Sequence, residues 1–167
     1  METFFKNCSL LLLTGILSAL PANAQSDPFE LIEVTVRPLN ISYVHAVIDE
    51  RMPETIIELE NMAARYNITE SPVYDGQFNA YEVTFSQDNG TIIATYDQNG
   101  KIIQSIERFK DITLPAFIRN KIFEDNSGWT IHSDTYLVSY NCNESIKKMC
   151  KVQLRKDGKR KNIKISI

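Results

Sequence analysis

The sequence predicts an α+β protein: an antiparallel sheet with helices packed on one face, organised as two tandem helix-meander units. Three observations carry this. Period-two apolar runs are separated by Asn-Gly and Asp-Gly turns, which is the mark of β-meanders. Two segments with helical spacing each open on a proline and precede such a run. Tyr81-Glu-Val-Thr-Phe85 also recurs as Tyr136-Leu-Val-Ser-Tyr140, and Asp97-Gln-Asn-Gly-Lys101 as Arg155-Lys-Asp-Gly-Lys159. Offsets of 55 and 58 residues are those of one duplicated unit with a small insertion. The expected organisation is residues 1–24 as a signal peptide, 25–52 as an N-terminal extension with one strand, and 53–110 and 111–167 as the two units.

The first segment has the anatomy of an export signal. Lys6 precedes an apolar stretch from Leu10 to Leu20, and Pro21-Ala-Asn-Ala24 follows with small residues at the cleavage positions. Those 11 residues are too short to span a bilayer. Cys8 lies before the apolar run rather than after it, which excludes a lipid-modified cysteine at the cleavage site. The mature chain carries no later segment of transmembrane length, so the expected location is periplasmic or secreted.

After a loose leader, Ile32, Val34 and Val36 alternate with polar residues as a strand does. Residues 41–50 fit either a strand or a short helix. Pro53 suits a first helical turn, and Ile56, Leu59, Ala63 and Tyr66 then share one helical face, with Glu54, Glu58, Asn61 and Arg65 opposite. Asn67 is the expected stop, and residues 70–79, with Pro72 and Gly76, form a loop.

A meander follows. Tyr81, Val83 and Phe85 alternate with Glu82 and Thr84; Asp88-Asn-Gly90 turns the chain into Thr91–Tyr96, and Asp97-Gln-Asn-Gly100 turns it into Lys101–Ile106. The second helix is expected with Thr113 as cap, Pro115 in its first turn, Leu114, Phe117, Ile118 and Ile122 on one face, and Gly128 beyond its end. Strands are expected at 129–132, 136–140, 149–155 and 161–167, the last two joined by Lys156-Asp-Gly158. In that final pair Val152, Leu154, Ile163 and Ile165 should face the helices. Lys151, Gln153, Arg155, Lys164 and Ser166 should then lie on the bare side.

Removal of the signal leaves Cys142 and Cys150, an even pair that in an exported chain points to a disulfide, with two unpaired thiols as the alternative. Neither cysteine has companions for a zinc site, and no metal or cofactor is expected. Charge is unevenly spread: residues 25–80 hold ten acids and three bases, residues 142–167 nine bases and two acids. The basic end either pairs with the acidic beginning, forms a solvated face, or meets an anionic surface.

These pieces resemble the PepSY-like (beta-lactamase-inhibitor-like) exported proteins of Bacteroidetes. The resemblance is carried by Tyr81-Glu-Val-Thr-Phe85, Ala94-Thr-Tyr-Asp97 with Asn99-Gly-Lys101, Leu114-Pro115, Trp129-Thr-Ile131 and Asp157-Gly158-Lys159. It implies helix-on-sheet units, often in tandem, exported as binding or inhibitory modules. It brings no catalytic residues and leaves segment 25–52 uncovered.

Catalytic chemistry finds little footing. His132-Ser133-Asp134 has the residue types of a hydrolase triad, but neighbours on an extended chain point to opposite faces. His45 reads as a packed or surface histidine. Asp97-Gln-Asn-Gly lacks the glutamate a calcium loop needs at its twelfth position, which here is Arg108. Asn40, Asn67, Asn89 and Asn143 each begin an N-x-Ser/Thr sequon. The functional expectation is a non-catalytic interaction module whose partner is an unknown protein or envelope component, not nucleic acid. Its binding face is expected around Lys151, Gln153, Arg155 and Lys164. The alternatives are a small periplasmic hydrolase and envelope-surface binding through the basic C-terminal end.

Overall fold

The computed structural model describes residues 40–167. The expected signal peptide and the strand expected at Ile32–Val36 lie outside the described residues.

Residues 41–50, open between strand and helix, contain helix α1 (Ile41–Val47), which buries Tyr43 and Val47 four residues apart on one face. Asn40 in front of it is buried and fully bonded. Its amide nitrogen donates to Ala64 O and Gly100 O at 3.2 Å each, and its oxygen accepts from Ile102 N at 2.6 Å. One side chain thus ties the start of α1 to the end of the next helix and to a sheet turn, which leaves the Asn40 amide inaccessible as a sequon.

Helix α2 (Glu54–Arg65) follows directly after Pro53. Ile56, Leu59, Ala63 and Ala64 are buried, while Glu54, Glu58 and Arg65 are exposed, as the 3.6-residue period requires. Glu60 is buried as well, against the habit of charged helix residues.

Six strands form one antiparallel sheet in sequence order: β1 (Ala80–Gln87), β2 (Gly90–Asp97), β3 (Ile102–Lys110), β4 (Thr130–Asn141), β5 (Lys147–Lys156) and β6 (Lys159–Ser166). Helix α3 (Ala116–Asp125) connects β3 to β4. The turn Asp97–Lys101 joins β2 to β3, and Arg155–Lys159 spans the turn from β5 to β6. At the latter, Asp157 and Gly158 have φ of 46° and 75°, the left-handed pair a two-residue hairpin needs. At the first hairpin the left-handed residue is Asp88 (φ 28°), not Asn89 or Gly90. Gly90 is instead required by proximity: a Cβ there would stand 2.7 Å from Phe109 Cδ1.

Burial alternates cleanly along the strands. Ile92, Ala94 and Tyr96 of β2, Phe109 of β3, Tyr136, Val138 and Tyr140 of β4, Cys150, Val152 and Leu154 of β5 and Ile165 of β6 join the apolar faces of the three helices in one core. Leu114, Ile118 and Ile122 are the buried apolar residues of the α3 segment, and Phe117 packs at its edge beneath the Arg51 guanidinium, 4.2 Å from the ring centre. Polar bonds fasten the layers. Tyr96 Oη donates to Ala63 O at 2.7 Å, Lys148 Nζ to Val47 O at 2.7 Å, and Lys161 Nζ to Asn126 Oδ1 at 2.6 Å.

Three expectations are corrected. Runs 129–132 and 136–140 belong to one strand, β4, because a bulge between Ile131 and Ser133 absorbs the break in alternation. Thr113 does not cap α3; the helix starts after Pro115 without a side-chain cap bond. The Cys142–Cys150 disulfide is absent, and both thiols are free. The register explains it: Cys150 lies opposite Tyr136, six residues before Cys142 on β4 and its extension. At about 3.3 Å per residue that is roughly 20 Å along the strand, far beyond disulfide reach.

Candidate functional site

With the helices on one side, the other face of the sheet is bare among the described residues. Its side chains follow from the register. Lys110, Thr135, Lys151 and Lys164 stand side by side on β3, β4, β5 and β6. The neighbouring row runs Arg108, Leu137, Met149, Ser166. On the other side of the lysine row, Ser133, Gln153 and Asn162 form the next one, and Thr130, Arg155 and Arg160 the one after. Lys147 lies opposite Ser139 on the same face. The open face of β3–β6 therefore holds seven basic residues (Arg108, Lys110, Lys147, Lys151, Arg155, Arg160 and Lys164) and no acid. The acids of these strands, Glu107 and Asp134, both turn to the core.

This distribution follows from sequence alternation. In Lys151-Val-Gln-Leu-Arg155, every second residue is apolar and faces the helices, which forces the polar residues to the other side. Among the described residues the one ion pair is Arg51 Nη2 with Asp49 Oδ2 at 2.6 Å. None of the seven basic residues takes part in it.

Three of the four expected binding residues converge. Lys151, Gln153 and Lys164 line an open depression of about 350 Å³ together with Ser133, Thr135 and Asn162. Gln153 Nε2 reaches Asn162 Oδ1 at 3.5 Å across its floor. Arg155 does not line it; it stands further along β5, opposite Arg160, with a buried Nε that has no acceptor among the described residues. Near the centre of the face Ile106 is 53% exposed, and Leu137 and Met149 are half-buried.

A second cluster was not anticipated. Under α1 and α2, Glu60 and Glu107 are 1% and 0% exposed. Tyr43 Oη donates to Glu107 Oε1 at 2.7 Å, and Ser105 Oγ donates to the same oxygen at 2.8 Å. Glu60 Oε2, Glu107 Oε2 and Tyr136 Oη find no hydrogen-bond partner among the described residues. Burial, with the Glu107 carboxylate close by, pushes the Glu60 carboxyl up to about 9. Burial raises Glu107 as well, opposed by the hydrogen bonds it accepts from Tyr43 and Ser105. A proton held on Glu60 lets it donate to Glu107. Burial likewise raises the Tyr43 and Tyr136 phenols, and the nearby carboxylates add to it.

The remaining candidates are placed as follows. Ser133 pairs with Gln153 on the open face, whereas the Asp134 carboxylate turns inward and accepts from Ile112 N at 3.1 Å; His132 is exposed at the bulge. His45 is exposed on α1. Asp97 Oδ1 accepts from Asn99 N and Lys101 N, both at 2.9 Å, which makes it the organiser of a hairpin turn. No group of three metal-ligating side chains occurs among the described residues, and no helix among them is long and apolar enough to cross a membrane.

No family model matches the chain, and neither a curated protein nor a solved structure does. The assignment of function therefore starts from the site itself.

Proposed function

We propose that the protein is a non-catalytic interaction module, acting in the periplasm or outside the cell, that holds its partner against the open face of the sheet. The observation that carries this reading is the composition of that face: seven bases and no acid across four adjacent strands, none of them ion-paired among the described residues. The helices fill the opposite side, so among the described residues the sheet has one face free for contact. Lys151, Gln153 and Lys164 form its most concave part, and Arg155 extends it along β5.

The export signal in the sequence and the resemblance to PepSY-like modules, in which a duplicated helix-meander unit is expected, support the same assignment. The acids best placed for catalysis, Glu60 and Glu107, are sealed beneath α1 and α2, which gives a substrate no approach to them. The test is capture from an envelope extract with wild-type protein and with Lys151→Ala/Arg155→Ala/Lys164→Ala. Loss of specifically retained components supports the reading, and unchanged retention of all of them rejects the face.

The cationic face also favours a second reading, attachment to an anionic envelope surface. That reading expects binding to anionic vesicles that weakens steeply with salt. Binding that is absent or insensitive to salt removes it.

A further inference from the structure

We infer that the open face of β3–β6 takes an acidic polypeptide in which carboxylates are interspersed with apolar side chains. This rests on the reading of that face as the contact surface and specifies the chemistry of what it contacts.

Charge is the first ground. Lys151 and Lys164 lie directly opposite each other on β5 and β6, and Arg155 lies opposite Arg160. Like charges facing one another across a strand pair repel. Lys110 extends the lysine row on β3, separated from Lys151 only by Thr135 of β4. No acid on the open side of these four strands relieves the repulsion. A row of carboxylates laid across the strands would do so and would find the Ser133, Gln153 and Asn162 side chains beside it as hydrogen-bonding partners.

The apolar centre is the second ground. Ile106, Leu137 and Met149 occupy positions on β3, β4 and β5 next to Arg108 and Lys147. An apolar middle with a charged border is the anatomy of a protein contact surface.

The same features decide against other occupants. A second copy packed through the same face would set seven bases against seven bases. A bilayer would meet the longer Lys and Arg heads before Ile106, Leu137 or Met149, so the apolar centre would remain unused.

The test uses the purified full chain with three probes: a random copolymer of glutamate and tyrosine, polyglutamate, and vesicles containing one third phosphatidylglycerol. The copolymer should bind more tightly than polyglutamate, and both should weaken as salt rises. Lys151→Glu/Lys164→Glu should weaken both polymers about tenfold or more. Ile106→Ser should weaken the copolymer and leave polyglutamate unchanged. Equal binding of the two polymers, binding of neither, or tighter binding of vesicles overturns the inference. If the polymers fail while the triple alanine variant still loses envelope components, the acidic partner is wrong and the face stands. If the triple variant loses nothing either, both fall.

Discussion

Glu60 of α2 and Glu107 of β3 meet in the core as a pair of carboxyls, each with an oxygen that has no other partner among the described residues. Asp49 and the Tyr43 and Tyr136 phenols lie close enough to act on this pair, and Lys148 is the nearby cation that opposes the upward shift. The sign of the pH dependence follows. Folding raises Glu60 from the ordinary carboxylate range to about 9, so the folded state holds a proton that the unfolded chain releases above about pH 4.5. The contribution to stability is full below that value and is lost as pH rises towards 9, by at most about 1.4 kcal/mol per pH unit. Glu107, also raised, acts in the same direction. Chemical denaturation at pH 5, 7 and 9 should show declining stability in the wild type. Glu60→Gln, which keeps a donor and removes the titration, should flatten the decline. An equally steep decline in the variant would contradict a proton held on Glu60.

Gly90 is held to glycine by Phe109. A Cβ would approach two carbons of that ring at 2.7 and 2.9 Å and Leu59 Cδ2 at 3.3 Å. Phe109 is buried and packs against Tyr136, with ring centres 6.2 Å apart, so it has little room to yield. Gly90→Ala should therefore destabilise the fold by about 1–3 kcal/mol through overpacking. Urea denaturation reads this directly, and a variant as stable as wild type would show that the ring can move aside.

The two cysteines of the described region should behave differently. Cys142 is exposed, whereas Cys150 is buried among core side chains, with its thiol pushed up to about 12 by burial. Alkylation followed by peptide mass mapping should label Cys142 in the native protein and Cys150 only after denaturation. A cross-linked Cys142–Cys150 peptide from oxidised protein would contradict the register of β4 and β5.

Helix α2 and the hairpins were legible in the sequence because each rests on local chemistry. Ile56, Leu59 and Ala63 keep a helical period, and the Asp157-Gly158 turn lies between two alternating strands. The inward set Val152, Leu154 and Ile165 could be read for the same reason, and with it the position of Lys151 and Lys164. Where tertiary context decides, the reading failed. In α1, Tyr43 and Val47 share a helical face, but the segment also alternates acceptably as a strand. The bulge beside His132 hid the continuity of β4. A second irregularity, between Thr95 and Tyr96, accompanies the phase of β3 that exposes Ile106 and buries Ser105 and Glu107. Glu60 offered one signal: it lies four residues after Ile56 and three before Ala63, inside the apolar stripe. A carboxyl there is buried next to Glu107, a neighbour from a distant strand that the helical period does not reveal. The cysteine pair was inferred from number, whereas register decides whether two thiols can meet.

The account depends most on which side of the molecule is the contact surface, and site-specific photo-cross-linking tests that choice directly. A photoreactive phenylalanine analogue placed at Gln153 lies on the open face, and one placed at Glu58 lies on the solvent side of α2. In envelope extract, the Gln153 position should give discrete, higher-mass adducts that excess unmodified protein competes away, while the Glu58 position gives none. Adducts from Glu58 with none from Gln153 would place the contact on the helical side and contradict the account.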